Sequence, residues 1–195
     1  MRSHSNPTPG ELKERISAAA LHLFAERGVD ATPMPVIAEE AGVAVGSLYR
    51  YYANKEELVA RLYAENYGQL AEKLDRVQAA QCSTHDKIAA MVRFVCEFFD
   101  REWDLARFLL LEQHMRLKAY DGPANPVNIV CRVLADGVRL GELRQVDITL
   151  AAALVMGPVI QAATFRTYGR LTGALSDITD KLVRGIWAAV AKQGD

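Results

Sequence analysis

Cysteine is scarce in this sequence of 195 residues: Cys82, Cys96 and Cys131 are odd in number and far apart. No Cys-x-x-Cys or Cys/His grouping occurs, so neither a disulfide framework nor structural zinc is expected, and the three fit reduced thiols in a cytoplasm. Net charge is nearly absent too, at -1. That excludes a generally basic nucleic-acid binder, so any anion-binding surface must be local. Also missing are runs of alternating apolar and polar residues flanked by hairpin signals, the mark of strands. There is no Gly-rich phosphate loop, no histidine with an upstream Glu-x-x partner, and no Ser/His/Asp or Cys/His grouping. An enzyme is therefore not expected, nor a cofactor or a metal. The opening residues "MRSHSNPTPG" hold no apolar core for a signal peptide and no lipidation pattern.

Long hydrophobic runs are absent with one exception. "ITLAAALVMGPVIQAATF", Ile148 to Phe165, reaches the lower edge of membrane-span length. Gln161 and the Gly157-Pro158 pair interrupt it and flanking aromatic anchors are sparse. An all-round apolar helix also suits a buried oligomer interface, which is the reading preferred over a membrane.

What is present is an ordinary globular balance, 50% hydrophobic and 24% charged, enough for one good core or a small domain fused to a larger one. Helical periodicity runs from end to end, which predicts an all-α protein of about nine helices. Thr8-Pro9-Gly10-Glu11 has the capping-box form, and Ile16, Ala20, Leu23 and Phe24 form a stripe that ends at Gly28. Thr32 is expected to cap a short second helix that tolerates Pro33 and Pro35, turns Ile37, Ala38 and Ala41 inward and stops at Gly42. Asn54 and Glu57 open a long fourth helix striped by Leu58, Leu62, Leu70, Leu74 and Val77. Ser83-Thr84 opens a fifth with Ile88, Met91, Val92, Val95 and Phe99, and Asp104 a sixth with Leu105, Phe108 and Leu109. After the break "AYDGPANP", a seventh carries Ile129, Val130, Val133 and Leu134; Asp147 caps the eighth, and Asp177 a ninth with Ile178, Leu182, Ile186, Trp187 and Val190.

One stretch stands apart. "GVAVGSLYRYYANKEELV", Gly42 to Val59, gathers three tyrosines, and Arg50 and Lys55 are the only charges between Ala41 and Lys55. It is either an oddly polar piece of core or a surface that meets something anionic. A helix, a short helix, a tight Gly-containing turn and another short helix are the parts of a helix-turn-helix unit, whose last helix enters the major groove. Leu48 and Tyr52, four apart, can pack inward, which leaves Gly46, Ser47, Tyr49, Arg50 and Tyr51 pointing elsewhere.

The head resembles the tetracycline-repressor (TetR/AcrR-type) family of bacterial transcriptional regulators. The resemblance rests on Phe-x-x-x-Gly at Phe24, Ile-Ala-x-x-Ala-Gly-Val at Ile37, Gly-x-Leu-Tyr-x-Tyr at Gly46 and Asn-Lys-Glu-Glu-Leu at Asn54. It implies a helix-turn-helix DNA-binding domain over residues 1–60 and a helical effector-binding and dimerisation domain over 61–195. Three residues depart from the family's pattern. Ala44 stands where a Ser or Thr cap is usual, forgoing roughly 1 kcal/mol. Pro35 replaces a polar or basic residue, and Tyr52 replaces a Phe, so its hydroxyl needs a partner if buried.

The DNA-binding set that follows is Thr32, Ala44, Val45, Gly46, Ser47, Tyr49, Arg50, Tyr51 and Lys55. Val45 can meet a thymine methyl, Gly46 allows close backbone approach and Ser47 can hydrogen-bond a base edge; the alternative for Val45 is plain packing. By the resemblance, Tyr49 and Tyr51 give hydroxyls to phosphates, against packing on the first helix. Lys55 sits at the positive end of a helix dipole, a cost that a DNA phosphate offsets; the alternative is a solvated lysine. Arg50 is a solvated or phosphate-facing charge, and Arg2 and His4 belong either to an idle tail or to one that reaches a minor groove.

By the same resemblance the middle helices enclose an effector pocket, with Phe94, Phe98, Trp103, Arg107, Phe108 and His114 as candidates, alongside the reading that most of these are core. Arg107 could pair an acidic ligand, and Met115 and Tyr120 belong to the same aromatic-rich stretch. Leu154, Val155, Ile186 and Trp187 are expected at a homodimer interface. The whole implies a homodimeric repressor released from a palindromic operator by a small apolar or aromatic effector. The alternatives are a ligand-independent regulator or a helical protein-interaction module.

Overall fold

A computed structural model describes residues 8–116 and 125–192; Arg2, His4, Tyr120 and the side chains of His114 and Met115 lie outside the described residues. Nine α-helices occur among them: α1 (Pro9–Arg27), α2 (Met34–Glu40), α3 (Val45–Tyr51), α4 (Lys55–Ala79), α5 (Thr84–Arg101), α6 (Trp103–Arg116), α7 (Pro126–Arg139), α8 (Ile148–Thr167) and α9 (Thr179–Val190). Apart from an isolated bridge between Leu143 and Ala191, the described residues contain no β pairing.

Most boundaries follow from local chemistry. The Thr8 hydroxyl accepts from the Glu11 amide at 3.3 Å and the Glu11 carboxylate accepts from the Thr8 amide at 2.7 Å, a complete capping box. Asn54, Ser83 and Asp147 accept from the Glu57, Asp86 and Leu150 amides at 2.8, 3.0 and 2.9 Å. Glu57 reaches back to accept from the Ala53 amide at 2.7 Å, one residue before the N-cap Asn54.

Three expected starts are corrected. Thr32 does not cap α2, which follows Pro33 without a side-chain cap; Thr32 is buried, and its hydroxyl donates to the Gly28 carbonyl at 2.8 Å. Helix α6 begins at Trp103, so Asp104 sits within its first turn. Asp177 lies in a 3-10 turn, Ser176–Ile178, just before α9. That turn is held instead by Asp100 of α5, whose carboxylate accepts from the Leu175 and Ser176 amides at 2.9 Å each.

One continuous core runs from head to body. Ile16, Leu23 and Phe24 of α1 pack with Ile37, Leu48, Tyr52 and Leu58, and the same cluster continues through Ala71 and Leu74 of α4 into α5, α7, α8 and α9. Helix α4 therefore belongs to both halves. Gly137 brings α7 close to the start of α5: a Cβ there would meet the Thr84 methyl at 2.6 Å.

Helix α8 runs unbroken through Pro158. By length and composition it is apolar enough to cross a membrane, yet it packs on α5, α7 and α9 with Ala151, Ala152, Val155, Val159 and Ala163 buried. Its other side, with Leu150, Ala153, Gly157, Pro158, Gln161 and Phe165, is exposed.

Candidate DNA-binding head and effector cavity

Helix α3 is short because little holds it from within. Ala44 supplies no side-chain cap and Leu48 is its one buried residue. Val45, Gly46, Tyr49 and Arg50 are exposed, Val45 by 39% and Tyr49 by 48%, so the groove-reaching set is on the surface. Ser47 is half-buried and its hydroxyl accepts from Arg50 Nη2 at 3.1 Å, which joins two candidates on one face. Tyr51 is half-buried against the core, so the two tyrosines divide between surface and packing. At the far end Tyr52 is 1% exposed; its hydroxyl is hydrogen-bonded with Ser17 of α1, and the Arg61 guanidinium lies 5.8 Å from its ring centre. Burial pushes the Tyr52 phenol up from its ordinary pKa, so it stays a neutral hydrogen-bonding group.

Lys55 takes a role that neither sequence reading anticipated. Its ammonium donates to the Val29 carbonyl at 2.7 Å and the Asp30 carbonyl at 3.2 Å, in the turn after α1. Those oxygens offset the unfavourable helix dipole inside the protein itself. A second cation acts alike: Arg15 of α1 donates through Nη2 to the Ala41 carbonyl at 2.7 Å and the Gly42 carbonyl at 3.0 Å. Sequence patterning misses both, because the acceptors are backbone oxygens 25 to 27 residues away.

The body holds an apolar cavity of about 150 Å³ between α4, α5, α6, α7 and α8, lined by residues such as Tyr67, Leu74, Phe98, Leu110, Val130 and Gln113. Of the candidate ligand residues described, Phe98 lines it. Phe94 stands outside, stacked on Phe98 at 6.5 Å. Trp103 faces a surface groove beside α1 and carries the Arg166 guanidinium at 5.0 Å. Phe108 is core, 5.8 Å from Phe24 and 6.4 Å from Tyr63. Arg107 is half-buried off the cavity wall, its Nε without a hydrogen-bond partner among the described residues. Periodicity could not choose here, since α6 is apolar on two sides: Phe108 meets α1 and α4, while Leu109, Leu110 and Gln113 meet the cavity.

Both ends of α6 are tied to the head. Asp104 pairs with His22 of α1 at 2.9 Å, and Arg116 pairs with Glu56 in the first turn of α4. The Arg116 guanidinium holds the Glu56 carboxyl below its usual range. The dimer candidates are corrected in part. Val155 and Ile186, 3% and 1% exposed, are core of the single chain, and Trp187 is half-buried with its ring edge-on to His85 at 4.9 Å. Leu154 is half-buried beside the outward face of α8.

The sequence pattern of the family described as "Bacterial regulatory proteins, tetR family" matches residues 16–62, the stretch that builds α1, α2, α3 and the start of α4. The "Fatty acid metabolism regulator protein" of Bacillus subtilis is 27% identical over 156 residues, spanning 77% of this chain and 80% of that protein. The head, residues 16–62, is thus similar to the DNA-binding head of the tetR family. The proteins the chain is similar to are transcriptional regulators rather than enzymes. The repressor KstR2 of Mycobacterium tuberculosis is 47% identical, over only 57 residues, 29% of this chain and 26% of its own. FadR of Bacillus subtilis, solved in complex with stearoyl-CoA, has the same fold, with a TM-score of 0.78 at 24% identity over 89% of this chain and 96% of its own.

Proposed function

We propose that this chain is a homodimeric tetR-family repressor that reads a palindromic operator with α3 and releases it when an acyl chain, presented as a thioester, enters the body. DNA reading is assigned to residues 1–60, and effector binding and dimerisation to 61–195. Val45, Gly46 and Ser47 meet base edges, while Tyr49, Arg50 and the remaining ammonium donor of Lys55 meet phosphates. Two copies join through the exposed side of α8 and the neighbouring face of α9, which fits heads about one DNA turn, ~34 Å, apart.

The observation that carries the effector reading is the placement of α6. One side of it roofs an apolar cavity and both its ends are ion-paired to the head. A ligand that moves α6 therefore moves α1 and α4 with it. Release requires that the ligand favour the head arrangement that fits DNA poorly, since equal affinity for both states shifts nothing. The acyl class is supported by the extent of the sequence likenesses: that to the fatty acid regulator spans 156 residues, and that to KstR2 spans 57.

The test is retardation of a palindromic fragment selected from genomic DNA, titrated with acyl-CoA thioesters of graded length. Release by a window of chain lengths is expected. Retardation untouched by every thioester overturns the effector reading, and absence of retardation overturns the operator reading.

A further inference from the structure

The head carries a basic residue that charge alone would give to a DNA phosphate and that the structure gives to something else. Arg15 is on the exposed side of α1, yet its Nη2 is bound to the Ala41 and Gly42 carbonyls at 2.7 and 3.0 Å. These two oxygens lie past the end of α2. The Ala41, Gly42 and Val43 amides already close that helix by donating to the Ile37, Glu39 and Ala38 carbonyls at 2.9 Å each. The next carbonyls along the chain are the ones Arg15 takes, through charge-assisted bonds that are among the stronger hydrogen bonds available to a surface residue. Gly42, at φ +63°, makes the turn between them and α3, and a Cβ there would come within 2.7 Å of Arg15 Nη2. Guanidinium and turn are fitted to each other.

The consequence falls on α3, which begins at Val45, three residues after Gly42. It has no side-chain cap, buries Leu48 alone and packs mainly on α2. Its exit is held by the Tyr52–Ser17 hydrogen bond and its entry by Arg15, so α1 grips the short helix at both ends through residues two positions apart. We propose that Arg15 is a specificity-determining positioning residue: by holding the α2–α3 turn it sets the angle at which Val45, Gly46 and Ser47 are presented, and it governs operator discrimination without neutralising a phosphate. This rests on the reading of α3 as the groove-entering helix.

The experiment compares the full-length wild type with Arg15→Met, which keeps the stem and removes the donors, and Arg15→Lys, which restores a cation able to reach the same carbonyls. Affinities for the operator and for unrelated duplex are measured over a range of salt. In Arg15→Met the ratio of operator to unrelated affinity is expected to fall about tenfold per head, with unrelated affinity and the log–log salt slope unchanged, and Arg15→Lys is expected to recover part of the ratio. A slope reduced by about one unit per head makes Arg15 a phosphate contact and overturns the inference. So does an unchanged ratio, and so does loss of operator and unrelated binding together in both variants, which would make Arg15 a folding residue. A wild type that does not discriminate operator from unrelated duplex would instead sink the reading of α3 itself.

Discussion

The head and the body of this chain are held together by different means. In the head, α3 buries Leu48 alone, and cations on neighbouring helices grip the backbone of the turns around it, Arg15 at Ala41 and Gly42, Lys55 at Val29 and Asp30. In the body, α5 buries Ile88, Met91, Val92, Phe98 and Phe99 on one side, and the helices around it close on a cavity rather than on each other. A surface that must present its side chains to DNA cannot use them as anchors, so its position is fixed through main-chain oxygens. A body that must admit a ligand leaves part of its packing undone. The first arrangement is brittle to loss of a charge, the second to a change of volume.

The largest expected effect tests whether two heads are needed. Ala153→Arg, on the exposed side of α8, should give folded monomers whose operator affinity falls by about 10²–10⁴, the factor lost when two tethered contacts become one. Sedimentation and operator retardation measure it, and an Ala153→Arg variant that stays dimeric would move the interface elsewhere. Ile186→Asp should by contrast unfold the chain, because Ile186 is core.

Next comes the cavity. Val130→Phe adds volume to a wall of the ~150 Å³ space, and should weaken thioester binding tenfold or more while leaving operator affinity as it was, at a stability cost of about 1–3 kcal/mol. Isothermal titration and thermal unfolding read the two effects. Equal thioester affinity in the variant would place the effector outside this cavity.

A third change probes the clamps. Lys55→Met removes two bonds to carbonyls and, by the proposed role, one phosphate contact per head. The midpoint of thermal unfolding should drop by an amount corresponding to about 1–2 kcal/mol, and the salt slope should fall by about one unit per head. A lower midpoint with an unchanged slope would leave Lys55 as a clamp alone.

Why some of this could be read in the chain and some could not is a matter of range. The capping box at Thr8, the inward stripe of α1 and the helix-turn-helix spacing are local, and they stand where composition and periodicity put them. The position of Lys55 against a helix dipole is a local feature, but its partners lie across the head and no pattern names a carbonyl. Thr32 and Asp177 have the chemistry of caps; a neighbouring Pro33 and the reach of Asp100 displaced them from that use. Phe108, Val155 and Ile186 were apolar in the right helices, and which side of each helix meets the cavity, the core or the solvent is set by tertiary packing alone.

The smallest expected effect lies at the seam between the two regions. His22 on α1 and Asp104 on α6 form an exposed pair at 2.9 Å. The hydrogen bond to Asp104 raises the imidazole above its ordinary 6.5, assisted by the Asp104 charge and, further off, by Glu26 and Glu40. A raised folded pKa means that the pair's contribution is fully present below the unfolded value and is lost as pH rises through the folded one. The head–body seam should therefore loosen slightly from pH 6 to pH 8, and less so in high salt, since both groups are exposed. Comparison of the wild type with His22→Gln at the two pH values isolates this contribution, because the rest of the chain is common to both proteins. The difference in unfolding midpoint between them should be larger at pH 6 than at pH 8, and the His22 imidazole should titrate above 6.5 by NMR. A His22 that titrates at or below the unperturbed value would mean that Asp104 does not hold it in solution, and α6 would then be tied to the head through Arg116 and Glu56 alone among the pairs at its ends.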